Sequence, residues 1–101
     1  MKIVKRRQAV IDVIEMADFI SQDNLEIAHK FLDAFEATLE RIKSVPEIGT
    51  LKQSEAQPNL RMWFVEDFSK CLIFYAINEE AQEIEVIRVI HSSRDYTKFF
   101  G

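Results

Sequence analysis

The sequence predicts an α+β domain in which an N-terminal helical hairpin packs on one face of a small, mostly antiparallel β-sheet, with a short helix closing the C-terminus. Three observations carry that prediction. Apolar residues recur at helical spacing from residue 10 to residue 42, which marks two amphipathic helices. From Leu60 to Ile90 the pattern changes to runs rich in strand-forming residues. The connections between those runs are about five residues long, too short for the crossover that parallel strands need.

The opening Lys2-Ile3-Val4-Lys5 reads as an extra strand, at an edge or beside a central strand. In the first helix Val10, Val13, Ile14, Ala17 and Ile20 share one face, and Ile11, Met16 and Phe19 widen it, so cover on more than one side is expected. Ser21–Asn24 should end this helix, since such side chains compete for backbone hydrogen bonds. Asp23 or Asn24 then caps the second helix, with Glu26 in its first turn. The second helix carries Ala28, Phe31, Leu32, Phe35, Leu39 and Ile42 on one face and charged residues elsewhere, and must end before Pro46. Ile48 to about Asn59 reads as a loop. Strands follow at Leu60–Val65, Cys71–Ile77 and Glu83–Ile90, joined by Glu66–Lys70 and by a turn at Asn78–Gln82. The continuous apolar run from Cys71 suits a central strand covered on both faces. Residues 1–101 form a single domain, with no internal repeat and no linker.

The chain has 101 residues, 48% of them apolar and 30% charged. That excludes a disordered, low-complexity polymer. The net charge of −4 argues against a surface that grips nucleic acid everywhere, because phosphate binding wants a basic footprint. Residues 1–7 hold four cations, Lys2, Lys5, Arg6 and Arg7. Residues 8–50 hold three basic and nine acidic residues, and residues 51–101 hold six and eight. The lone Cys71 is expected to be a buried small hydrophobe. No segment reads as a membrane helix or a secretory signal, so a soluble, cytoplasmic protein is expected.

No phosphate-binding glycine loop, Cys/His metal spacing or nucleophile elbow is present, and no cofactor or metal is expected. His29 should be a surface or boundary histidine. Candidate functional residues gather in the C-terminal third. Strict alternation would place Ile84, Val86, Arg88 and Ile90 on one face of the last strand, and Glu85, Ile87, Val89 and His91 on the other. Arg88 then interrupts an apolar face, either paired with a carboxylate or backbone carbonyls, or offered to an anion or partner. Arg61, beside Trp63, poses the same choice. His91, Arg94 and Tyr96 supply a base, a phosphate-binding cation and a proton donor within six residues. Phe99 and Phe100 either anchor the tail or receive a partner.

Several segments, in order, resemble the RelE/ParE superfamily of bacterial type II toxins, often labelled plasmid stabilisation proteins. They are Val13–Ile20, Asp23-Asn24, Ala28–Leu32, Val45-Pro46-Glu47-Ile48-Gly49, Leu60-Arg61 and Lys70–Tyr75. Ile87-Arg88-Val89-Ile90-His91-Ser92-Ser93-Arg94-Asp95-Tyr96 matches the family's closing R-V-hydrophobic-H-x-x-R-D text. The likeness runs from about residue 8 to residue 100. It implies a toxin neutralised by a cognate antitoxin, with a homodimer or a toxin–antitoxin hetero-oligomer as its assembly. RelE-like members cleave mRNA on the ribosome, whereas ParE-like members act on DNA gyrase by binding; a member that has lost its target would remain a binding module. Cleavage would fall to Arg61, Arg88, His91 and Tyr96. Binding of partner or phosphate would fall to Arg61, Trp63, Arg88, His91, Arg94, Phe99 and Phe100. The acidic balance, and a Gly49–Asn59 loop whose one cation is Lys52, favour the ParE-like branch.

Overall fold

One residue, Asn24, separates the two helices of the hairpin. Its backbone N–H donates to Ile20 O at 3.0 Å while its side-chain oxygen accepts from Ile27 N at 3.1 Å, so it ends one helix and caps the next. The computed structural model describes residues 1–52 and 54–100. In chain order these form β1 (Lys2–Lys5), α1 (Arg7–Asp23), α2 (Leu25–Ser44), a 3₁₀ turn (Pro46–Ile48), β2 (Thr50–Leu51), β3 (Leu60–Val65), β4 (Phe68–Asn78), β5 (Glu83–His91) and α3 (Thr97–Phe100). The sheet order is β1-β5-β4-β3-β2. β1 takes the edge beside β5 and runs parallel to it; the other pairs are antiparallel. The α+β architecture is the one the sequence predicts.

Several details differ from the sequence expectation, each for a local reason. The interhelical connection is shorter because Ser21 stays helical, its hydroxyl bonding back to Asp18 O at 2.7 Å. In α1 the buried positions are Ala9, Asp12, Val13 and Ala17. Val10, Ile14 and Phe19 stay exposed, at 41%, 54% and 72%, so the helix is not covered on several sides. The buried stripe is turned towards Asp12, a carboxylate that counting apolar residues passes over. In α2, Leu32 is similarly exposed and Thr38 is fully buried instead. The Thr38 hydroxyl donates to Ala34 O at 2.7 Å and accepts from Glu66 N at 3.0 Å, tying α2 to the β3–β4 turn.

That turn is two residues long rather than five. Asp67 adopts a left-handed conformation, φ 68°, so the chain reverses at once and Phe68 already pairs with Val65. Phe68 then sets its ring edge-on to Phe31, 5.3 Å between centroids. The segment expected to be loop from Ile48 contains β2, whose Thr50 and Leu51 pair with Met62 and Arg61. Tyr75 holds the chain before it: its hydroxyl donates to Pro46 O at 2.7 Å and accepts from Gly49 N at 2.9 Å. Burial pushes the Tyr75 hydroxyl above its ordinary pKa. A Cβ on Gly49 would lie 2.6 Å from the Tyr75 oxygen, so this position needs glycine for close approach.

β4 is apolar on both sides, as its composition implies. Cys71, Ile73 and Tyr75 join Phe31, Phe35, Leu39 and Ile42 beneath the hairpin. Phe74 and Ala76 join Leu60, Ile87, Ile90 and Phe100 on the opposite face. Cys71 is a buried free thiol, its pKa raised by burial, in keeping with a small hydrophobe.

Strict alternation fails in β5. Tyr75 pairs with Val86 but Phe74 pairs with Arg88, so Ile87 is an extra residue, a β-bulge. Ile84, Val86 and Val89 therefore face the hairpin, whereas Ile87 and Ile90 face the other way. Replacing Tyr75 with Phe should cost about 1–3 kcal/mol, since it leaves Pro46 O and Gly49 N without their shared partner. Urea unfolding at an unchanged denaturant slope would measure this loss, and Gly49→Ala should add to it, because a Cβ there would still lie 2.8 Å from the ring Cε1 and 3.0 Å from Met62 O.

Candidate functional site

β1 stops at Lys5, and the Arg6 N–H closes its pairing by donating to Val86 O at 2.9 Å. β5 runs on to His91, so its last five residues have no strand on that side. The start of α1 takes the place. Asp12 Oδ2 accepts from Val89 N at 3.0 Å and from Arg88 Nε at 2.8 Å. Asp12 Oδ1 accepts from Arg88 Nη2 at 3.0 Å and from Gln8 Nε2 at 3.0 Å. This carboxylate is 7% exposed and fully engaged, as a buried charge must be. Arg88 is thus the ion-paired arginine that was one of its two sequence readings, and the bulge gives it reach around the strand edge.

Beyond the pair, α1 and β5 leave a cleft of about 450 Å³. Met16, Phe19 and Ile20 line its helix side, and Cys71, His91 and Arg94 its sheet side. The Ser93 N–H donates to His91 Nδ1 at 3.0 Å, and the Ser93 hydroxyl lies 2.8 Å from the same nitrogen. Nδ1 therefore accepts the backbone N–H and helps to fix the turn after β5. The Phe99 ring has the Arg88 guanidinium carbon 4.5 Å and the Arg94 guanidinium carbon 4.8 Å from its centroid. Asp95 begins the terminal turn, accepting from the Thr97 N–H and hydroxyl. Those two hydrogen bonds hold its carboxyl below the usual aspartate range.

The remaining candidates lie elsewhere. Arg61 donates to Gly49 O at 2.9 Å and to Glu47 O at 3.3 Å, on the β2 side of the sheet. Trp63 stacks on Phe64, 4.5 Å between centroids, and its buried Nε1 meets no partner among the described residues. Tyr96 and Phe100 pack on Phe74, on the face away from the hairpin. Phe100 is buried and Phe99 half-buried, so the tail is anchored on the sheet. The structure gathers Arg88, His91, Arg94 and Phe99; it does not gather Arg61, Arg88, His91 and Tyr96. His29 is exposed. Sequence reasoning missed Asp12; its signal was an acid at a helix position whose i+1 and i+5 neighbours, Val13 and Ala17, are core residues.

Among the described residues no cluster of three His, Cys, Asp or Glu side chains is placed to hold a metal, and no helix is long and apolar enough to cross a membrane. Asp12→Ala should destabilise the domain by about 3 kcal/mol, because it strands the Arg88 cation and the Val89 N–H. Asp12→Ala with Arg88→Met should recover much of that loss in thermal or denaturant unfolding; equal losses in the single and double variants would mean that the stranded cation is not the cause.

The family model described as "ParE toxin of type II toxin-antitoxin system, parDE" matches residues 3–96. Among solved structures, a chain of the chromosomal ParDE toxin–antitoxin system from P. aeruginosa superposes with a TM-score of 0.71 at 20% identity, covering 90% of this chain and 95% of that one. At that identity the likeness speaks for the fold alone. A search of curated proteins gives no significant match. With the family model spanning nearly the whole length, the chain belongs to the ParE toxin family of type II toxin–antitoxin systems.

Proposed function

We propose that this toxin acts by binding, with DNA gyrase as its target, and that a cognate antitoxin neutralises it in a hetero-oligomeric complex. That target would place its action in the bacterial cytoplasm. The observation that carries the reading is the state of the residues that cleavage would use. Attack by a ribose 2′-hydroxyl needs a base, a cation for the phosphorane charge and an acid for the leaving oxygen. Arg88 is neutralised by Asp12, and Arg61 is occupied by two backbone carbonyls. His91 Nδ1 accepts the Ser93 N–H, so that nitrogen is committed to the turn. Tyr96 packs on the opposite face of the sheet.

Charge supports the same reading. A nuclease working inside the ribosome approaches past phosphates, which favours a strongly basic protein. Here the net charge is −4, and residues 8–50 carry nine acids against three cations.

The test pairs two assays on the purified protein. Supercoiling by gyrase should fall as toxin is added and recover when the product of the adjacent reading frame is supplied, while mRNA on translating ribosomes stays intact. Ribosome-dependent mRNA cleavage that disappears in His91→Ala would overturn the binding reading.

A further inference from the structure

We propose that Arg88 is a clasp at the edge of the sheet: gripping Asp12 on one side and Phe99 on the other, it makes the docking of α3 conditional on the placement of α1 in the opposite layer. The C-terminal segment is then a strap that shuts the second apolar face of the sheet, and the Asp12 contact decides how firmly it is closed. The device is internal to the chain and independent of which target the toxin binds.

What the strap covers follows from the double-sided composition of β4. Leu60, Phe74, Ala76, Ile87 and Ile90 form an apolar cluster on the face away from the hairpin. Among the described residues, the members of that cluster outside the sheet are Tyr96, Phe99 and Phe100. Tyr96 and Phe100 lie on Phe74, at 5.0 and 5.1 Å between ring centroids, and Leu60 and Phe74 are fully buried. α3 is four residues long, too short to stay helical without a surface to pack on. Ser92–Asp95, which connect it to β5, are exposed. Docked and released are therefore the two states open to this segment, and release would bare the apolar side chains beneath it.

Phe99 is where the strap meets the rest of the fold. The Arg88 guanidinium carbon lies 4.5 Å and that of Arg94 4.8 Å from its ring centroid. The two cations differ in what fixes them. Arg94 belongs to the exposed connection and moves with the strap. Arg88 belongs to β5, its side chain is 20% exposed, and both oxygens of Asp12 hold its fork, at 2.8 and 3.0 Å. A cation attracts a ring only while it is kept against the ring's face, and Asp12 is what keeps this one there. Without that carboxylate the guanidinium turns towards water, and Phe99 retains only the cation that leaves with it. Asp12 and Phe99 make no contact of their own; joined through Arg88, each contact depends on the other.

Hydrogen–deuterium exchange of the full-length toxin, read by NMR, tests the coupling. The Lys98 and Phe99 amides, which donate to Asp95 O and Tyr96 O, report the strap, and the β4 amides report the whole fold. Asp12→Asn keeps an oxygen for the Val89 N–H but removes the charge. It should speed exchange at Lys98 and Phe99 by about fivefold relative to β4. In an Arg88→Met background the same substitution should add nothing there. Unchanged strap exchange in Asp12→Asn would overturn the clasp; so would an equal acceleration in the Arg88→Met background, which would route the effect around the arginine. Phe99→Leu reads the coupling from the other end and alters only the half-buried strap, so it serves even where Asp12→Asn does not fold. It should speed exchange at the Val89 amide, which Asp12 holds, relative to β4. Val89 exchange indistinguishable from that of the unaltered toxin would mean that the two layers are not coupled, and the proposal would fall.

Discussion

The carboxylate of Asp12 stands where a continuing β1 would have offered a backbone carbonyl. A strand that outruns its neighbour exposes N–H groups that must find acceptors. Here β5 extends beyond Val86, the last residue paired with β1, and Asp12 meets the Val89 N–H directly. Because the acceptor comes from a helix, the chain leaves the sheet at Arg6 and begins to cover it at once. The same carboxylate takes both ends of the Arg88 fork, which settles where α1 lies against the strand. An apolar contact would tolerate sliding along the edge; three hydrogen bonds to one carboxylate do not. The cleft follows from that placement, opening beyond the fixed point on the Phe19 side.

Much of this was legible in the sequence, because it depends on periodicity and on turn chemistry. Six apolar positions in α2, five of them buried as read, and the unbroken apolar run of β4 identify helix and strand without reference to their neighbours. Asn24 as a cap follows from its short polar side chain. What escaped depends on long-range pairing. The bulge at Ile87 is a matter of register between β4 and β5, and nothing within either strand announces it. Asp12 interrupts an apolar stripe, and only its position 76 residues from Arg88 turns that interruption into an anchor. Thr38 was passed over for the same reason, since its partner, the Glu66 N–H, arrives from a turn 28 residues away.

The charge distribution also takes on a structural meaning. Acidic residues dominate the hairpin, and the pairs they form at the surface, such as Lys5 with Glu36 at 2.6 Å and Lys30 with Glu26 at 3.8 Å, are exposed and individually weak. The hairpin is held by its apolar face and by the caps, and its acids remain available to shape the field around the molecule. That field opposes nucleic acid and tolerates cationic partners across most of the surface.

The closing text from Arg88 to Asp95 invites a catalytic reading, since it spaces an arginine, a histidine and a second arginine. Taken residue by residue, its chemistry is mostly architectural. Arg88 engages Asp12, Val89 enters the core beneath the hairpin, His91 accepts the turn N–H of Ser93, and Asp95 caps the terminal helix through Thr97. A strand ends and turns within these eight positions, just ahead of the helix that starts at Thr97, and most of the polar side chains engage a backbone group or an ion in doing so. Arg94 makes no ion pair with any described residue, and its guanidinium rests on the Phe99 ring. On the proposed binding reading, Arg94 is the cation of this segment left to meet a partner, because Arg88 is already held by Asp12.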